Sequence, residues 1–160
     1  MEDTKTNAEG RVVKVDEGKQ YIVVKLGTEQ YGIDIQYVDN IVRMQNITRV
    51  PKAQHYFKGV INLRGEIIPV MSMRLKFGLE ADEYTNTTRI IIIKLEPQSA
   101  IGIIVDEVKE VVTLNEDNID KPDYSEGDEK GSYLSGIGKH GDGLISLLNI
   151  AAVIIEKESA

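Results

Sequence analysis

The stretch YGIDIQYVDNIV, residues 31–42, comes back in altered form as IGIIVDEVKEVV, residues 101–112, when the chain is slid by 70 positions. Gly32 then falls on Gly102, Ile35 on Val105, Val38 on Val108, and Ile41-Val42 on Val111-Val112. Upstream, QYIVVKL (20–26) matches RIIIIKL (89–95) after one insertion. A slide of 77 lays GVINLRGEIIPVMSM (59–73) on GIGKHGDGLISLLNI (136–150) without gaps, so Arg64-Gly65 stands opposite Gly141-Asp142. Self-similarity at a fixed offset marks a supersecondary unit used twice. Two copies of a five-stranded unit accommodate the apolar runs better than any single sheet.

Those runs are short and β-branched, and turn residues separate them at close intervals, which is how barrels and sandwiches read. The pattern predicts strands over 21–26, 30–35, 41–44, 60–63 and 66–72, then over 89–95, 100–105, 108–114, 133–137 and 143–148. Helical spacing is weak. It predicts short turns over 53–57 and 73–77 and a C-terminal piece over 150–156, where Ile150, Val153 and Ile154 share a face. The polar, acidic stretch GLEADEYTNTT (78–88) separates the copies. A second acidic loop, 115–131, lacks the alternating oxygen ligands of a helix-loop-helix calcium site and reads as a solvated loop.

Composition narrows the function. Apolar residues are 41% of the chain, with no Trp and only 2 Phe, so the core must be built mainly of Ile, Val and Leu, the residues that suit pleated surfaces. The net charge is -7, and Lys and Arg are scattered without a block that could neutralise adjacent phosphates, which argues against nucleic acid and against an anionic membrane surface. No cysteine is present, which removes disulfides, thiolate nucleophiles and zinc ribbons together and suits a reducing compartment. Nothing in the chain approaches the length of an apolar membrane span, and the first ten residues are polar. The expectation is a cytoplasmic protein with no membrane insertion, monomeric when free, whose residues 1–18 form a disordered tail.

Chemistry is sparse. The two histidines, His55 and His140, have no HxxH or HExxH context, so no metal is expected. There is no Gly-x-Ser-x-Gly elbow. The glycine-rich GIGKHGDG (136–143) misses the spacing of a phosphate-binding loop and leads into a strand, so it reads as a hairpin loop with its glycines at positive φ and His140 solvated at the tip. No cofactor and no enzymatic activity are expected, which leaves binding surfaces.

The run LGTEQYGIDIQYVDNIVR, the following VP, then FKGVINLRGEIIPV and later GIIVDEVKEVV resemble the CheW family of coupling proteins in bacterial chemotaxis. The resemblance extends from about Gln20 to Ile155. It implies an all-β protein made of two small five-stranded SH3-like β-barrels packed together, with short helical turns and a C-terminal helix. The domain would span 19–155 as two intertwined subdomains, roughly 20–85 and 89–150, with the C-terminal segment packing back. The implied function is a non-catalytic adaptor that couples chemoreceptors to the histidine kinase CheA and is recruited to membrane-associated arrays. The alternative is the same task in another receptor-kinase array, such as one governing surface motility.

The resemblance also implies sites. The receptor tip would dock at the junction of the barrels, on Ile35, Val38 and Val108. Branched aliphatics serve a core equally well; for Ile35 and Val108 both readings stand, while Val38, between Tyr37 and Asp39, is read as binding. The regulatory domain of the kinase would meet Asn40, Ile41, Val42 and Arg43. Gly59, Asn62 and Gly65 would build the turn that presents Arg64, whose planar five-donor fork a lysine cannot reproduce. Arg64 would transmit receptor state to the kinase; the alternative is a merely solvated head. Where the family carries Glu, this chain has Asn40, so an ion pair to Arg64 is in doubt, leaving Asn40 as a neutral acceptor or Asp39 as a substitute. Ser72 and Asn149 stand where relatives carry Asp and could cap a turn.

Overall fold

The computed structural model describes residues 4–6, 12–14, 18–121 and 133–154. Most of the expected tail 1–18, and the part of the second acidic loop beyond Lys121, lie outside the described residues. Within the tail, β1 (Thr4–Thr6) pairs with β2 (Val12–Lys14). The main body begins with β3 (Lys19–Leu26), β4 (Glu29–Asp34), a 3-10 turn (Ile35–Tyr37) and β5 (Val38–Arg43). It continues with the hairpin β6 (Phe57–Leu63) and β7 (Glu66–Ser72) and the single helical turn α1 (Met73–Lys76). Next come β8 (Arg89–Glu96), β9 (Ser99–Val105), β10 (Glu107–Leu114) and a 3-10 turn (Glu116–Asn118). The two-residue β11 (Ile119–Asp120), β12 (Leu134–His140), β13 (Gly143–Leu148) and α2 (Ile150–Ile154) complete the described elements.

The strands form two SH3-like sheets, ordered β10-β3-β4-β13-β12-β11 and β5-β8-β9-β7-β6. The second has the expected five strands; the first gains a sixth in β11. Each sheet draws on both halves of the chain, because β5 leaves β4 to join β8 while β10 leaves β9 to join β3. A cut between residues 85 and 89 therefore does not separate the sheets.

The offsets read from the sequence reappear as registers. Val23 pairs with Gly32, and Ile92 with Gly102. Gly32 lies parallel to Leu147, and Gly102 parallel to Val70. Val111 pairs with Ile22, and Ile41 with Ile91. Even the irregularities correspond: bulges fall between Val38 and Asn40 and between Val108 and Glu110, and again between Phe57 and Gly59 and between Leu134 and Gly136. Gly32 and Gly102 are glycines for one reason, since a Cβ there would lie 2.8 Å from Leu147 Cδ2 or from Ile90 Cγ2.

β3 and β8 each carry four consecutive buried apolar residues, Tyr21 to Val24 and Ile90 to Ile93, because each is covered on both faces there. Tyr21 and Val23 enter the interior of the first barrel with Val112, Leu114, Ile145 and Leu147. Ile90 and Ile92 enter the second with Ile61, Ile68, Val70 and Ile104. The alternate residues Ile22, Val24, Ile91 and Ile93 meet between the barrels, in a third cluster with Met71, Met73, Ile103, Val105 and Leu148. The two lobes thus share one central core.

Two expectations are corrected. Residues 53–57 form no helix: the segment is a turn that ends where Phe57 begins β6, and Lys52 before it sits at φ +62. GIGKHGDG is mostly strand, because β12 runs to His140 and only Gly141 has positive φ. Gly136 and Gly138 are needed instead for close approach, since a Cβ would stand 2.8 Å from Ile119 Cγ2 and 2.5 Å from Leu114 Cδ1. Ser72 and Asn149 both cap helical turns: Leu75 N–H donates to Ser72 Oγ at 3.2 Å and Ala152 N–H to Asn149 Oδ1 at 3.3 Å.

Candidate functional site

The two chain crossings between sheets build the junction. In the first, Asp34 caps the 3-10 turn, accepting from Gln36 N–H at 3.1 Å and from Gln36 Nε2 at 2.9 Å. This leaves Ile35 exposed at 36% and turns Val38 back against the central core, half-buried. In the second, Val108 takes the equivalent place, also half-buried against that core. The structure therefore brings Val38 and Val108 to one cluster, with Ile35 at the surface beside the first crossing.

The second crossing is clasped by charge. Arg74 of α1 donates from Nε to Asp106 Oδ1 at 2.7 Å and from Nη2 to Oδ2 at 2.6 Å, a two-pronged pair, while Gly27 N–H donates to Oδ2 at 2.8 Å. One carboxylate thus ties the β3–β4 turn of the first sheet to the helical turn that follows β7 of the second. The bond from Arg74, with help from Gly27, holds the Asp106 carboxyl below its ordinary range, against the opposing effect of burial. The same bond raises Arg74. A depressed carboxylate stabilises the fold above its unfolded pKa, and that contribution fades as pH falls through the folded value. Asp106→Asn should therefore cost about 1–2 kcal/mol at neutral pH, and the gap from the parent should close as pH drops below about 4. Urea melts across that range are the measurement; a gap independent of pH would remove the charge from the explanation.

The strand β5 is an edge of its sheet and alternates, with Asp39, Ile41 and Arg43 exposed and Asn40 and Val42 half-buried. Val42 packs into the interior of the second barrel, so of the four predicted kinase contacts Ile41, 37% exposed, and Arg43 face solvent. Asn40 Oδ1 accepts from Ile41 N–H at 2.9 Å, and Asp39 stands 3.9 Å from Lys94 Nζ. Both candidate partners of Arg64 are thus engaged elsewhere, and Arg64 makes no ion pair among the described residues.

Arg64 sits at φ +54 and Gly65 at φ +83, the pattern of a two-residue type I′ hairpin. Asn62 Oδ1 accepts from Gly65 N–H at 3.0 Å and fixes the turn. An arginine in the left-handed region costs on the order of 1 kcal/mol, so its place at the tip is bought by something other than local stability. Gly59, at φ +139, lies in the bulge of β6 where Thr48 and Val60 exchange hydrogen bonds of 2.8 Å.

Sequence reasoning passed over Ile67 and Leu144, which stand 60% and 63% exposed at corresponding places on β7 and β13. The 77-residue slide paired them; what it could not reveal is which face of the strand met solvent. Among the described residues no group of three or more His, Asp or Glu side chains is placed to hold a metal ion. None of the described helices is long and apolar enough to cross a membrane. His140 lies beside Glu110, with Nε2 3.9 Å from Oε1.

A family model described as the CheW-like domain matches residues 20–158. A chemotaxis protein CheW of Bacillus subtilis (strain 168) is 36% identical over 149 residues, covering 92% of this chain and 93% of its own. One of Helicobacter pylori (strain ATCC 700392 / 26695) is 34% identical over 139 residues, 87% of this chain and 83% of its own. Among solved structures, the scaffolding protein TtCheW from Thermoanaerobacter tengcongensis superposes with a TM-score of 0.75 at 34% identity, covering 82% of this chain and 89% of that one.

Proposed function

The chain belongs to the CheW-like domain family, and on that premise we propose that it bridges chemoreceptors and the histidine kinase CheA. It is a non-catalytic adaptor of chemotaxis signalling, and the match across residues 20–158 is the observation that carries this. Relatives named for chemotaxis favour that setting over another receptor-kinase array.

The receptor tip docks at the junction, on Ile35, Val38 and Val108, with Arg64 coupling receptor state to the kinase. The exposure of Ile35 and the half-burial of both valines against one shared core support a shallow apolar seat for a helical hairpin. The kinase meets β5 at Asn40, Ile41, Val42 and Arg43. Because the Asn40 side chain occupies the Ile41 amide, side chains and not an added strand make the contact at that point. Holding both partners on one body raises the effective concentration of each for the other without requiring tight single contacts.

Arg64 provides the test. Its head has no ion pair among the described residues, and alanine meets the same left-handed strain, so Arg64→Ala should leave stability within about 0.5 kcal/mol. In arrays reconstituted from CheA, receptor fragments and this protein, the variant should still be incorporated, yet kinase activation should drop about tenfold. Activation equal to the parent's would end the coupling role.

A further inference from the structure

The net charge of -7 is unevenly spread. From Asn40 to Gly65 the chain holds five cations, Arg43, Arg49, Lys52, Lys58 and Arg64, and no Asp or Glu, so the remainder carries 14 Lys and Arg against 26 acids. Spacing along the chain disguises this as scatter. Folding keeps several of the charges together, because the loop between β5 and β6 wraps around two adjoining clefts of about 600 and 390 Å³. Arg49, His55, Phe57 and Lys58 border both; Tyr84 adds to the larger and Lys52 to the smaller. None of the five cations makes an ion pair among the described residues, although Asp and Glu are abundant elsewhere on the surface.

Two further features point the same way. Lys52, in this loop, is one of two non-glycines at positive φ among the described residues. Backbone strain of that kind persists where a side chain must be aimed. Apolar groups are also left open beside the charges, with Val50 48% and Tyr84 49% exposed.

We propose that the loop of residues 44–56 and the first residues of β6, with Tyr84, form a docking site for an extended acidic segment of a partner protein. Its carboxylates face Arg49, Lys52 and Lys58, and an apolar side chain lies against Tyr84. Charge complementarity selects the occupant: Asp82 stands near Tyr84, yet Arg49, Lys52 and Lys58 make no ion pair among the described residues, and an acidic segment would supply one. A long polyanion or an anionic bilayer is disfavoured because it would also meet the strongly acidic remainder of the surface. A short segment touches only the clefts. The site lies outside both surfaces assigned to coupling and is tested on the isolated protein, so its failure would leave that reading intact.

The probe is a fluorescent peptide alternating Glu and Asp with Leu, read by anisotropy against a Gln and Asn counterpart. Saturable binding of the acidic peptide alone is expected, weakening as salt rises. Arg49→Glu combined with Lys58→Glu should weaken it at least about tenfold, because both charge contacts are reversed, and Tyr84→Ser several-fold, because one apolar contact is lost. The milder pair Arg49→Gln and Lys58→Gln should show an intermediate loss with an unchanged melting curve. Reversing Lys19 and Lys121, at and just beyond the other sheet, should change nothing. The proposal is overturned by absence of saturable binding, by equal binding of the neutral peptide, or by equal loss in the Lys19 and Lys121 control. Stronger competition from single-stranded DNA or phosphatidylglycerol vesicles than from unlabelled peptide would overturn it as well.

Discussion

Gly59→Ala should cost the protein about 4 kcal/mol and lower its melting temperature by about 10 °C or more. Two contributions add. A residue with a side chain is strained at φ +139, by about 1–3 kcal/mol. The new Cβ would also lie 2.1 Å from the Thr48 carbonyl oxygen and 2.9 Å from Ile47 Cγ2, so the bridge that carries the chain from β5 back to β6 must open, at about 1–3 kcal/mol more. Gly65→Ala reports positive-φ strain without a clash, because Gly65 has φ +83 but nothing within 4 Å of its Cβ position. Denaturant melts of the two variants compare them directly. If Gly59→Ala costs no more than Gly65→Ala, the tight passage of β6 beneath Thr48 is not a feature of the fold.

The second large effect concerns the kinase. Ile41→Asp places a charge in the middle of the exposed row of β5, where Ile41 is 37% exposed and packing will hardly suffer. A central aliphatic contact of an interface is worth about 2 kcal/mol, so affinity for a CheA regulatory-domain fragment should fall about thirtyfold. Affinity for a receptor fragment should hold. Ile35→Asp is the mirror test, expected to spare the kinase and weaken the receptor. Calorimetric titration with each fragment decides the matter, and the opposite pairing would mean that the two surfaces have been exchanged.

How much of this was legible in the residues differs from feature to feature. Strand positions followed from β-branched runs, and the offsets of 70 and 77 anticipated which residues correspond. The matched bulges at Val38 and Val108 were not foretold by them, although both answer the same local need to bend the chain across a junction. What no offset could say is that β5 and β10 change places, since a strand with an apolar face suits either sheet equally. The helix expected at 53–57 failed because a few apolar residues near Pro51 carry no period long enough to distinguish a helix from a turn entering a strand. The glycines of GIGKHGDG were legible as special but not as crowded, because close approach depends on β10 and β11, which are distant in sequence.

The candidate surfaces were less legible still. Ile41 and Val42 are neighbours of similar chemistry, and only the alternation of β5 turns one outward and the other into a barrel. Asn40 was noticed as a missing charge, but its actual work, satisfying the amide of Ile41, is local geometry that composition does not encode. The clustering of Arg49, Lys52 and Lys58 is hidden in the sequence because it lies in the absence of acids over a whole segment and not in a run of cations.

The crosswise exchange of β5 and β10 sets the timetable of folding. A ribosome releases β3 and β4 early, yet Tyr21 and Val23 find Val112, Ile145 and Leu147 only after nearly the whole domain has emerged. The second lobe, whose strands end at Val105, can close sooner. Maturation should thus begin in the middle of the polypeptide and finish with its two ends meeting, a late, long-range closure of the kind that slows β-rich chains and leaves nascent edges in need of protection.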